Sequence, residues 1–264
     1  HDYFNEKAVE LIAKIKGKAD VITANNVFAH TNDICSMVSN VKKLLKEDGV
    51  FIIEVQYILD TIQMLTFDNI YHEHLSYFSV LSLKEFFNQQ NMEIIDIKHI
   101  DTHGGSIRIY TKKRGSKYNI NPSVDNFLEI EKKFQLDKFE TYEKFANKVY
   151  DIKDKIKNYI KEAKYAGKKI IGYGAPAKAS TLLNFCGLTN QDIDFIIDDN
   201  PLKQGLIVPG VRIPIKNKEA LNNYNPDYIM ILAWNFAEEI LKNNKHHKDK
   251  GVSFIIPLPE PKIV

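Results

Sequence analysis

Apolar residues recur with two periods along this chain, and the alternation between them lays out its elements. Ala8, Leu11, Ile12 and Ile15 fall at helical spacing within residues 6–16. Residues 19–26 are partly β-branched and end in two Asn, which predicts a short strand. Helical spacing returns over 33–46 in Ile34, Met37, Val38, Val41, Leu44 and Leu45, with Asn32 or Asp33 as cap and Gly49 ending the connection. Residues 50–55 then read as a buried strand. Helix, strand, helix, strand predicts an α/β layer with parallel strands. Residues 60–90 read as helical apart from an irregular, aromatic-rich break at 68–78. Strands at 93–100 and 106–112 flank Gly104-Gly105 so closely that an antiparallel hairpin is expected.

Residues 113–125 read as a linker. A long helical pattern follows from about 125 to 165 through Phe134, Phe139, Tyr142, Phe145, Val149, Ile152, Ile156 and Ile160, with a polar face rich in Lys and Glu. It predicts a helical connector packed on both neighbours. A second α/β unit starts at Lys168: a strand at 169–173 into a Gly-rich turn, a helix at 177–185, and strands at 194–199 and 227–233. A helix at 236–245 and a last strand at 252–257 complete it. The organisation expected is therefore 1–115, a partial doubly wound domain; 116–166, the connector; and 167–264, a Rossmann-like domain.

Composition narrows the function classes. The 264 residues carry 36 Lys+Arg against 34 Asp+Glu, a formal net charge of +2, which removes the usual electrostatic reason to expect nucleic acid. At 44% hydrophobic and 11% aromatic residues, a packed core is expected. No run of about 18 apolar residues is present, so no spanning helix is expected. Two cysteines make neither a disulfide framework nor a four-ligand zinc site. The first residues are polar, without a signal peptide, and a cytoplasmic protein is the expectation. The chain begins with His1, not Met.

The densest chemical cluster is Tyr71-His72-Glu73-His74, followed by Leu75-Ser76-Tyr77-Phe78. Histidine titrates nearest neutrality, a carboxylate can orient it, and a phenol can donate to an oxygen gaining negative charge. The cluster reads as an acid–base centre, against a polar knot tying a loop to the core. A metal is disfavoured because His-Glu-His lacks the i, i+4 spacing of a helical His pair. Asn25-Asn26-Val27-Phe28-Ala29-His30 lies at the carboxyl end of the first strand, the edge where open α/β sheets bind ligands, which puts His30 in place to join the cluster. His103-Gly104-Gly105-Ser106-Ile107-Arg108 is a hairpin turn or a wall of a substrate pocket. Gly172-Tyr173-Gly174-Ala175-Pro176-Ala177 fits G-x-G-x-x-A after a strand, with Asp198-Asp199 ending the next strand. Its readings are a site for NAD(P), as in an oxidoreductase, for another phosphate-bearing ligand held with the help of Lys178, or a purely structural turn.

These segments, in this order, together with Phe67-Asp68-Asn69-Ile70 before the Tyr-His-Glu-His run, Asp198-Asp199-Asn200-Pro201 and Ala233-Trp234-Asn235-Phe236, resemble the sugar C-methyltransferases that act on nucleotide-linked 4-keto deoxysugars. The resemblance covers nearly the whole chain. It implies the second half of a class I methyltransferase-like sheet ending in an antiparallel hairpin, then a helical connector and a Rossmann-like C-terminal domain. It implies S-adenosylmethionine as methyl donor and a nucleotide-diphosphate keto-sugar as substrate, with no nucleic acid or membrane partner. By the same resemblance His74 is the base that takes the proton from sugar C3, Tyr71 stands by the C4 keto oxygen and Glu73 orients this group. His30 and Asn26 lie beside the sugar, with His103 and Arg108 on the substrate side. Gly172, Gly174 and Lys178 help hold the diphosphate. Asn25 and Glu54 touch one side of the methyl donor. The family's zinc-binding N-terminal domain and the Gly-rich cofactor loop have no counterpart ahead of Asp20, so the expectation is a chain lacking the main cofactor-binding loop. A sugar-nucleotide-binding fragment without catalysis is the alternative.

Overall fold

The computed structural model describes residues 3–264, apart from the side chain of His103. The chain forms two compact units. One comprises the residues up to Gln63 with His72–Thr141, the other Met64–Tyr71 with Tyr142–Val264.

The first unit opens with helix α1 (Glu6–Lys16), whose cap Asn5 accepts a hydrogen bond from the Ala8 N–H at 2.9 Å. Strand β1 (Ala19–Asn25), helix α2 (Ile34–Leu44) and strand β2 (Leu45–Gln56) follow, with Asp33 capping α2 through the Ser36 N–H. Extended backbone thus starts at Leu45, where the pattern predicts helix to Lys46. Leu45 is buried and pairs with Ala19, and a Cβ at Gly49 would come within 2.7 Å of the Leu45 side chain. Helices α3 (Ile58–Gln63) and α4 (Val80–Gln89), strands β3 (Met92–Ile100) and β4 (Ser106–Lys113) and helix α5 (Ser123–Phe134) complete the unit. The sheet order is β1-β2-β4-β3, with β1 and β2 parallel and β4 antiparallel to both its neighbours. This is the expected parallel layer ending in a hairpin. Phe28, Phe51, Phe78 and Phe87 pack beneath its carboxyl edge, with Phe28 centroids 5.4 Å from Phe78 and 6.4 Å from Phe51. Each such ring contributes about 1.5–3 kcal/mol by leaving water. β1 is an edge strand, and Val21 on it and Leu11, Ile12 and Ile15 on α1 are exposed.

The long helical pattern is divided. α5 stops at Phe134, Gln135 turns left-handed at φ 59°, and α6 runs from Phe139 to Tyr165. The Gln135 and Leu136 N–H groups close back on Lys132 and Glu131 carbonyls, and Leu136 is buried, so the turn is a hydrophobically sealed helix end.

The second unit contains most of α6, then β5 (Ile170–Tyr173), α7 (Ala177–Cys186), β6 (Ile196–Ile197) and β7 (Ile215–Lys216). β8 (Tyr228–Ile231), α8 (Ala237–Asn243), β9 (Ser253–Ile256) and β10 (Lys262–Ile263) follow. Its sheet order is β10-β9-β8-β5-β6-β7, parallel except for β10. β9 is therefore not the last strand: β10 returns antiparallel against it. The strand order reverses beside β5, the switch point at which doubly wound sheets bind ligands. Among the described residues no helix is long and apolar enough to cross a membrane.

Candidate active site

At the carboxyl end of β1, Asn25 and Asn26 are exposed. Asn26 is left-handed at φ 53° and donates its N–H to the Glu54 carbonyl at 2.9 Å. The chain then makes one 3-10 turn, Phe28–His30, with Phe28 and Ala29 buried and His30 outward. The Leu75 N–H donates to the Ala29 carbonyl at 2.9 Å, which ties the His72–His74 segment to this turn. As a result the His30 and His74 rings meet edge to face with centroids 4.9 Å apart, and Tyr77 stands 6.3 Å from His74. A bridge from Tyr57 to Phe78 and the Ile58 N–H on the Phe78 carbonyl fix the far end of the loop. His72 and Glu73 are exposed and His74 is half-buried. Tyr71 belongs to the second unit.

Glu54 and Arg108 face each other in the β2–β4 register. Glu54 is 5% exposed and accepts from Arg108 Nε at 3.0 Å and Nη2 at 2.7 Å. The hydrogen bonds to Glu54 and Tyr110 hold the guanidinium above its ordinary pKa. Two residues expected on different ligands thus answer one another's charge. The His103 side chain lies outside the described residues. The Gly104-Gly105 turn lies against Asp60: a Cβ at Gly105 would fall 2.3 Å from that carboxylate. Asp60, raised in pKa by burial, bonds His99 Nε2 at 2.8 Å, and Asp101 Oδ1 is 3.4 Å from Nδ1. Sequence reasoning missed this His–carboxylate pair, because its members lie in α3 and β3 with no local pattern around either.

In the second unit, Gly174 (φ 82°) follows β5 so closely that a Cβ would meet that of Ala233 at 2.7 Å. Asp198 accepts from the Ala175 N–H at 2.7 Å and from Lys203 Nζ at 3.4 Å, and Lys218 Nζ lies 3.0 Å from Asp199. Both acids that a dinucleotide site would turn toward a ribose are engaged in the protein, so nothing here favours the nicotinamide reading. Pro176 precedes α7, whose first N–H groups point to the turn. Lys178 lies over the Trp234 ring at 3.9 Å, and burial lowers its pKa against the pull of Asp68. Among the described residues no group of three or more His, Cys, Asp or Glu is placed to hold a metal ion.

The chain matches the family model for a C-methyltransferase C-terminal domain over residues 101–259 and that for a methyltransferase domain over residues 2–97. It is 38% identical to the C-methyltransferase NovU of Streptomyces niveus over 99% of its own length, and spans 62% of that protein. Among solved structures, M1.HpyAVI is 11% identical at TM-score 0.27, over 42% of this chain and 52% of that one. The magnesium protoporphyrin IX methyltransferase ChlM of Synechocystis PCC 6803, solved with bound SAH, is 13% identical at TM-score 0.30, over 39% and 48%. Likenesses this slight carry no argument. The family models do: the chain belongs to the C-methyltransferase family.

Proposed function

We propose that the protein takes part in moving a methyl group from S-adenosylmethionine to the carbon next to the keto group of a nucleotide-linked deoxysugar. The observation that carries this reading is the meeting of His30 and His74, 4.9 Å apart, at the carboxyl end of β1. His74 is the base. Removing a C–H proton beside a ketone leaves an enolate, so the reaction needs one base at carbon and one donor at oxygen. Tyr71, three residues before His74, is that donor, with Glu73 and His30 orienting the base and Asn26 beside the sugar. Arg108 reaches the substrate side only as the partner of Glu54. The N–H groups of the Gly172–Lys178 turn take the diphosphate. A base beside a hydroxyl would be placed similarly, so transfer to carbon rests on the family.

Bound S-adenosylmethionine supplies an electrophilic methyl group on a sulfonium. Of this chain's residues, Asn25 fits one flank of it; Glu54 is answered by Arg108 and offers less. The chemistry assigned to this chain is therefore proton removal and substrate holding, and exchange at the sugar carbon tests it without the methyl donor. With a nucleotide 4-keto deoxysugar in deuterium oxide, His74→Ala is expected to slow exchange at C3 by about 10²–10⁴-fold while calorimetry finds substrate affinity within about twofold. Undiminished exchange would remove His74 as the base. A wild-type chain that binds the sugar nucleotide without exchange is a binding module.

A further inference from the structure

Met64–Tyr71 separates α3 from the His72–His74 loop, yet it is built into the second unit. Leu65 packs against that unit's core in a left-handed conformation, φ 53°, which a leucine rarely adopts. Phe67 is buried there with its ring 4.9 Å from Phe185. Asp68 is fully buried, and its Oδ2 accepts from Trp234 Nε1 at 2.6 Å. Lys178 lies over the same indole and attracts the Asp68 carboxylate. This attachment is not one of simple core packing. Thr66 Oγ1 and Asp68 Oδ1 are both buried without a hydrogen-bond partner among the described residues. Buried polar groups are usually satisfied, and exceptions mark places where a conformation is held for a purpose.

We infer that Asp68 is a positioning residue: by fixing this segment on Trp234 it sets where Tyr71 stands. The inference rests on the reading of Tyr71 as the donor at the keto oxygen. It also gives Lys178 a second task, the counter-charge to Asp68, beside the diphosphate. Asn69 is buried with its N–H on the Thr66 carbonyl, and Ile70 is exposed with its N–H on the Phe67 carbonyl, so the turn that leads to Tyr71 is built on the segment that Asp68 attaches.

Trp234 is the single tryptophan of the 264 residues, so its emission reports on the attachment directly. Asp68→Ala is expected to shift the emission to longer wavelength and raise acrylamide quenching roughly twofold or more, as the indole loses its acceptor and cover. Asp68→Asn, whose amide oxygen can still accept the indole N–H, is expected to keep both near wild type. In the exchange assay at saturating substrate Asp68→Ala is expected to slow exchange by about tenfold, with Asn restoring most of it. Because Asp68 acts through Tyr71, Asp68→Ala combined with Tyr71→Phe is expected to be no slower than Tyr71→Phe alone. Unchanged emission and quenching in Asp68→Ala, or additive losses in the double variant, overturn the inference and leave the chemistry standing. Undiminished exchange in Tyr71→Phe overturns both. Should Asp68→Ala not fold, Trp234→Phe removes the donor instead, and wild-type exchange in that variant overturns the inference.

Discussion

Among the buried carboxyl groups, Glu131 in the first unit and Asp68 in the second each hold a loop or helix in place, and the two are treated in opposite ways. In the first, Glu131 of α5 is 3% exposed and its two oxygens take three donors: the Tyr57 hydroxyl at 2.9 Å and the Val80 and Leu81 N–H groups. Those N–H groups open α4, so the carboxyl also meets the positive end of a helix. In the second, Asp68 accepts from Trp234 through Oδ2, its Oδ1 has no hydrogen-bond partner among the described residues, and burial raises its pKa. A carboxyl satisfied at every lone pair in use belongs to the scaffold. One satisfied by half, as Asp68 is, sits in the segment that leads to Tyr71.

The comparison breaks most visibly at Glu131. Glu131→Ala strands a buried phenol and two helix-opening N–H groups, and is expected to destabilise the first unit by about 3 kcal/mol in urea unfolding. Asp68→Asn at neutral pH is expected to change stability by less than about 1 kcal/mol, since the indole keeps an acceptor. A Glu131→Ala loss as small as that of Asp68→Asn would erase the contrast.

The second test uses pH. The folded pKa of Asp68 lies above that of an ordinary aspartate, because burial disfavours the charged form more than Lys178 and Trp234 favour it. As pH falls from neutrality, the folded state takes up this proton before the unfolded state does. The stability that wild type holds relative to Asp68→Asn is therefore expected to rise as pH falls through the folded pKa, levelling below the unfolded one. Paired unfolding curves of the two proteins at several pH values between neutrality and about pH 4 check the sign. A difference that shrinks with acid would mean the carboxylate is well satisfied, and the contrast with Glu131 would be lost.

How far either carboxyl was legible in the sequence depends on what recognition required. The helix caps were: Asn32 or Asp33 was expected before α2, and Asp33 accepts from Ser36. So was the β3–β4 hairpin, because Gly104-Gly105 carries the φ of 84° and 107° that the turn needs. The end of α5 was not, because the left-handed residue is Gln135 rather than Gly, and what seals it is the burial of Leu136. In the site, His30 and His74 were each recognisable as polar residues near the sheet's carboxyl edge. The side-chain pairs around them were not. Glu54 with Arg108, Asp60 with His99 and Asp68 with Trp234 lie 54, 39 and 166 residues apart, and only strand register and tertiary packing choose them. Lys178 carried a phosphate reading from its place at a helix start, while the groups that hold it, Trp234 and Asp68, come from elsewhere in the chain.

The smallest expected effect sharpens the contrast from inside the first unit. Burial and the neighbouring Glu131 push the Tyr57 phenol well above its ordinary pKa, so it stays a protonated donor at any working pH. Tyr57→Phe removes that one donor and leaves the ring, which packs 5.9 Å from Phe127. Glu131 then keeps the Val80 and Leu81 N–H groups, and no buried group is left wholly without a partner. The loss is expected to be about 1 kcal/mol in urea unfolding, a third or so of that for Glu131→Ala. It should also fail to grow when combined with Glu131→Ala, because the hydroxyl has nothing left to donate to once the carboxyl is gone. Full additivity of the two would show that Tyr57 is held by something other than Glu131, and would leave that carboxyl its two backbone donors alone.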